Sequence, residues 1–273
     1  MKTATSMMLM LAGVVAGDAW ACDATIAAAP HTVVSAGVHC LAGDVTVNEA
    51  YGIGIASGDV TLDCRGYKLR GTRTGGVGIY RAGNGNNLKV QNCDIEGFGN
   101  GISLSGLNAK VLNNTIRSSG PRAITVSGEG AELVGNRVLS VSAGVNGWIE
   151  AVTVTDANRA VVMDNVITGV GGASSLLGLF VYGSSDVEII GNKILDMTYA
   201  PPASPENQDR AAAVGISMSS VARLAHNTIM MRGPKVKAFH GLPKGACVDN
   251  LVIGTTNADF SACASSAGNV YVP

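Results

Sequence analysis

The sequence predicts an all-β protein, a right-handed parallel β-helix of about eight coils, on the strength of two recurring motifs and one missing pattern. The first motif is an apolar residue, two variable positions, Asn, one variable position and a branched apolar residue. It reads KVLNNTI at 110–116 and returns at 132–138, 161–167, 188–194 and 223–229, with KVQNCDI as an earlier variant. The second motif alternates with the first: GVGIYRAG (76–83), NGISLSG (100–106), RAITVSG (122–128), EAVTVTD (150–156), LGLFVYG (177–183) and VGISMSS (214–220). Its apolar and small polar residues alternate with the two-residue period of a half-buried strand. The missing pattern is helical, since no segment beyond residue 21 sustains a 3.6-residue period.

Taken from the start, residues 1–21 read as an export signal. Lys2 is followed by a short apolar run, Met7–Gly17, and by AWA at 19–21, small residues where a signal peptidase cuts. The run falls short of the about 20 apolar residues that span a bilayer. The expected mature protein is therefore soluble and periplasmic or secreted. Cys22 follows the cut directly, but Ala19 and Trp20 stand where a lipidation site wants Leu and a small residue. Beyond the signal, residues 22–273 are expected to form one β-helix domain, with an N-terminal cap over about 22–50 and a C-terminal cap over about 235–273.

Six cysteines remain, Cys22, Cys40, Cys64, Cys93, Cys247 and Cys263. An even number outside the cytoplasm favours disulfides. The economical pairs are Cys22 with Cys40 and Cys247 with Cys263, each closing a loop of about 17–19 residues and contributing about 3 kcal/mol. Cys64 and Cys93 lie about one repeat apart, a spacing that suits either a bond or simple stacking. There is no CxxC and the four His are scattered, so zinc has little support.

The middle of the chain supplies the core. Aligned repeats put Ile102, Ile124, Val152, Leu179 and Ile216 in one inward column and Ile116, Val138, Ile167, Ile194 and Ile229 in another. A single coil cannot bury such residues; stacked coils about 4.8 Å apart do so and pair every strand with its neighbour. The aligned Asn114, Asn136, Asn165, Asn192 and Asn227 form a third column, which we read as structural, because Asn suits turns and pairs with nearby backbone. An evenly repeated residue also makes a poor reaction centre, where different groups must meet.

These motifs, with DVTLDCRGYKLRG (59–71) as an opening coil and CVDNLVIG and CASSAGNV (247–254, 263–270) as a closing one, resemble the bacterial secreted right-handed β-helix repeat proteins of the pectate-lyase-like superfamily. The resemblance covers essentially the whole mature chain. It implies the fold, and asparagine ladders of this kind are common in such proteins; it is not specific for an activity. Polyuronide lyases of that superfamily use a Lys or Arg base, often with carboxylates around Ca²⁺, and its hydrolases use NTD, DD and GHG motifs. The chain lacks those motifs, and FHG at 239–241 is only a fragment of one.

Spacing singles out one corner for function. From the alternating motif to the end of the Asn motif the steps are 14, 14, 15, 15 and 13 residues, whereas the return steps are 7, 8, 14, 12 and 22. Insertions gathered on one face of consecutive repeats often mark the binding face. Beside that corner Arg122 and Glu150 start adjacent strands, and Tyr80, Ser103, Thr125, Thr153, Phe180 and Ser217 form an outward column, with Tyr182 one step along. Tyr80, Phe180 and Tyr182 are the expected binding residues; Arg122, Glu150, Asp196 and Arg210 are the ionisable candidates for chemistry. Their bland reading is an ordinary surface ion pair and solvated turns.

A net charge of −1 gives no reason to expect nucleic acid or an anionic membrane as partner. The expectation is an exported protein that binds an extracellular or cell-envelope polysaccharide. Action on it, as a polysaccharide lyase or glycoside hydrolase, is left open. The rival is a non-catalytic structural or adhesive solenoid. No cofactor is called for; Ca²⁺ stays open, and the substrate and oligomeric state are not encoded in these patterns.

Overall fold

The computed structural model describes residues 21–72, 75–142, 148–172, 175–199, 211–217, 221–232, 237–241, 245–254, 260–261 and 263–272. The expected signal segment therefore lies outside the described residues, save Ala21. Among the described residues, thirty short strands pair in parallel into three sheets. Sheet I has eleven strands, from Ala24–Ile26 to Ser265–Ala267; sheet II has ten, from Val45–Val47 to Val270–Val272; sheet III has nine, from His31–Val33 to Lys237–His240. The chain visits sheets I, II and III in turn. Between Gly37–Leu41 and Lys237–His240 this makes eight complete coils, 24 strands at three per coil, with partial coils at both ends. This is the parallel β-solenoid that the motifs predict, and the right-handed sense is consistent with it. Among the described residues no helix is long and apolar enough to cross a membrane.

Each motif has one place in the coil. The Asn motif covers a sheet I strand, a two-residue corner and the start of sheet II, as in Lys110–Leu112 and Thr115–Ser119. The alternating motif is sheet III, as in Arg122–Ser127. The column Ile116, Val138, Ile167, Ile194 and Ile229 is in register and buried. Burying a side chain of this size contributes roughly 1.5–3 kcal/mol.

The other column needs one correction. Ile102, Ile124, Val152 and Leu179 pair in order, but the next partner of Leu179 is Val214; Ile216 pairs with Val181. The cause is a column of small residues that precedes the apolar one: Gly101, Ala123, Ala151, Gly178 and Ala213. These point inward as the chain turns from sheet II; a Cβ on Gly178 would lie 2.8 Å from the Ala213 carbonyl oxygen and 3.0 Å from the Ile194 side chain. The glycine of VGIS imitates that position, two residues too late. With Val214 in place, the last regular step becomes 15 residues (214 to 229), like the two before it.

The Asn column is a continuous buried ladder. Asn114 accepts at Oδ1 from the Cys93 backbone N–H and donates through Nδ2 to Asn136 Oδ1 (3.1 Å) and to the Val90 carbonyl (3.0 Å). The same three bonds repeat at Asn136, Asn165, Asn192 and Asn227, and the ladder continues through Asn250 to Asn269. Both amide hydrogens and the oxygen are thereby used, which is what a buried amide requires. The left-handed backbone belongs to the preceding residue instead. Asn113, Gly135, Asp164, Gly191, His226 and Asp249 all have φ between +52° and +68°, types that tolerate that region.

Three disulfides close: Cys22–Cys40, Cys64–Cys93 and Cys247–Cys263. Cys64 and Cys93 are bonded rather than merely stacked, at the foot of the ladder. Bonded Cys22 has no thiol left for lipidation.

Candidate functional site

The corner between sheets II and III is where the coils differ. In sheet II, Asp94–Glu96 has three residues, Arg137–Ser142 six, and Val166–Gly172 and Lys193–Tyr199 seven each; Thr228–Arg232 then falls back to five. Sheet III swells in step, from five at Val77–Arg81 to seven in Ile149–Thr155, Leu176–Tyr182 and Ala211–Ser217. Much of the length that spacing assigned to loops is therefore strand, and the strands build a ridge.

The ridge has a local cause. Ser140, Gly169 and Asp196 occupy matching places in three consecutive coils, and all have positive φ, 60°, 67° and 52°. A left-handed residue stacked on itself bends the strand as a bulge does, and the pairing shifts register between Leu195 and Met197. Past the bend, Val141, Val170, Met197 and Tyr199 meet Ile149, Leu176 and Ala211 in an apolar interior continuous with the main core. The ridge is thus a packed extension of the solenoid.

Its sheet III flank borders a groove of about 580 Å³. Three outward rows line it. At the strand starts stand Arg122, Glu150 and Leu177; along the middle Thr125, Thr153, Phe180 and, beyond Gly215, His240; along the far side Thr155, Tyr182 and Ser217. Trp148 and Ser175 close the ridge side. Gly215 is bare because a Cβ there would come within 2.9 Å of Leu177 and 3.2 Å of the Phe180 ring.

Glu150 is the buried charge of the groove, its side chain only 10% exposed. Arg122 holds it with two nitrogens on one carboxylate oxygen, Nη2 at 3.1 Å and Nε at 3.2 Å. The Thr153 hydroxyl lies 3.4 Å from the same oxygen. Phe180 and Tyr182 form a tilted pair with centroids 6.1 Å apart, and Trp148 is 58% exposed at the lip.

The structure thus brings together Arg122, Glu150, Phe180, Tyr182, Thr125, Thr153 and Ser217, although Ser217 stands beside Tyr182 and Gly215 takes its place in the middle row. Tyr80 lies in the middle row but four coils from Phe180, packed on Tyr51 and over Gly54, outside the groove. Asp196 is a bulge residue on sheet II and does not line the groove. Arg210 lies outside the described residues. Sequence reasoning missed Trp148, Thr155, Ser175, Leu177 and His240; FHG was the one signal for His240. Hydrolysis by acid and base uses two carboxyl groups about 5–9.5 Å apart, and the described lining supplies one. Among the described residues no three His, Cys, Asp or Glu converge in a way that could hold a metal ion.

No protein family and no curated protein matches the chain. Solved structures do. DFA-IIIase from Arthrobacter chlorophenolicus A6, without its lid, aligns with a TM-score of 0.51 at 13% identity, over 85% of this chain and 70% of that one. PfbA, a surface adhesin of Streptococcus pneumoniae, gives 0.48 at 12% identity over 80% and 60%. Tailspike protein 2 of the Escherichia coli O157:H7 bacteriophage CAB120 gives 0.47 at 10% identity over 88% and 37%. Identities this low speak to fold alone, and on the first of these likenesses the chain is a parallel β-solenoid of the β-helix kind, matched to no particular enzyme family.

Proposed function

We propose that the sheet III groove binds an extracellular or cell-envelope polysaccharide laid along the stack, across the strands. The observation that carries this reading is the pairing, on one concave face, of Trp148, Phe180 and Tyr182 with the hydroxyls of Thr155 and Ser217. A sugar ring offers an apolar face and a rim of hydroxyls, and an aromatic beside a hydroxyl complements both. The volume falls in the usual range for a ligand site. Strands rather than loops hold most of these side chains, so the face is organised before a ligand arrives. The three disulfides fit an oxidising compartment, and export through cleavage after Ala21 belongs to the same proposal.

A glycan array on the mature protein, together with a lyase assay on uronate polymers, tests it. Binding to at least one glycan is expected, and Trp148→Ala or Tyr182→Ala should each weaken that binding about three- to tenfold while leaving the melting temperature near that of the wild type. Silence in both assays, or unchanged binding in both variants, sinks the reading and leaves the non-catalytic structural solenoid.

A further inference from the structure

We infer that the chain taken by this groove is an uncharged glycan rather than a uronic-acid polymer; the inference rests on the polysaccharide reading above and narrows it. The groove's described ionisable residues are Arg122, Glu150 and His240. Arg122 is the cation that a uronate would seek, and it is already committed to Glu150. Pulling it away strands a carboxylate that is nine-tenths buried, and breaking such a pair costs far more than an exposed contact returns. With the Glu150 carboxylate beside it, the pair carries no net positive charge to draw an approaching anion.

The other described cations nearest Glu150 on sheet III stand toward the ends of the groove. Arg81 bonds the Ser105 hydroxyl two coils before the Glu150 strand, about 10 Å off at the spacing of stacked strands. Lys237 stands in the same row as Glu150 but three coils on, about 14 Å away at the spacing of stacked strands. Both distances exceed the screening length of about 8 Å at physiological ionic strength. What remains for recognition is uncharged: the exposed faces of Trp148 and Tyr182, and the hydroxyls beside them.

The test uses the mature protein at about pH 8, where imidazoles are in general uncharged. Probes are neutral gluco-, manno-, galacto- and fructo-oligosaccharides, with oligogalacturonate and oligomannuronate of the same length, each titrated by calorimetry at low and high salt. A neutral probe should bind with little salt dependence, and the uronates at least about tenfold more weakly. Glu150→Gln frees the Arg122 charge and should raise uronate affinity about tenfold, a gain that salt abolishes. Thr155→Lys adds a cation while keeping the ion pair, and should produce the same gain if the first variant folds poorly. Uronates binding as tightly as neutral probes, or no gain in a folded variant of either kind, overturns the inference and leaves polysaccharide binding standing. Silence toward every probe overturns both.

Discussion

At the residue scale, the ladder asparagines hold the stack through side chains that have no spare hydrogen-bonding capacity. Replacing Asn165 by Ala leaves the buried Asn136 backbone N–H and one Asn136 amide hydrogen without acceptors. Each orphaned buried donor costs about 1–3 kcal/mol, so Asn165→Ala should lose about 3 kcal/mol or more in a urea titration, with no effect on groove chemistry. Asp63 gives a pH signature at the foot of the same column. Burial raises its carboxyl, but hydrogen bonds from the Arg65 backbone N–H, Gln91 and Asn92 outweigh that and hold it below the ordinary 3.8. A carboxyl depressed on folding adds stability above its unfolded value and loses it as pH falls through the folded one. The melting temperature should therefore decline below about pH 4, and Asp63→Asn should flatten that decline. The five repeated asparagines were legible as structural from their even repetition and from the suitability of Asn for turns. That the left-handed strain sits one residue earlier was not, because Asn, Gly, Asp and His share that place and no single letter recurs.

At the scale of strands and sheets, the ridge is made by a bend repeated in three coils. Ser140 is the least suited of its three residues, since a left-handed backbone costs a Cβ-bearing side chain about 1–2 kcal/mol, less the flexibility that Gly adds to the unfolded chain. Ser140→Gly should therefore raise stability by about 0.5–1 kcal/mol in equilibrium unfolding, without altering glycan binding. Insertion lengths located this corner in the sequence, and the candidates Arg122, Glu150, Phe180 and Tyr182 followed from it. Spacing could not show that the added residues continue as strand, nor that Trp148 rises at the lip, because both depend on neighbouring coils bending together. The register slip at Val214 has the same root. Gly215 looks like the small inward residue of other coils, yet it faces the groove and is small to make room for Phe180.

At the scale of the whole molecule, the fold was legible almost in full, since two motifs alternating through successive coils leave little freedom in how the coils stack. Both ends are stapled, by Cys22–Cys40 and Cys247–Cys263, across separations of 18 and 16 residues. Each such bridge is worth about 3 kcal/mol, so Cys247→Ser with Cys263→Ser should lower the melting temperature and expose the last strands first in hydrogen exchange. In a repeat stack, lost end coils need not carry the middle with them. The ladder adds a direction to this picture. Every rung from Asn114 to Asn250 donates toward the C-terminal neighbour, and Asn269 ends the series on the Cys247 carbonyl and the Ser266 hydroxyl. The column is a one-way chain of aligned amide dipoles, and aligned hydrogen bonds polarise one another. Its two termini are therefore not equivalent. Trimming coils from the N-terminal side bares one side-chain oxygen and the single amide hydrogen that bonds the coil before; trimming from the C-terminal side bares two donors, a backbone N–H and an amide hydrogen, which proteins rarely leave unpaired. The stack has a polarity that its near-identical coils conceal, and it should tolerate shortening from the front better than from the back.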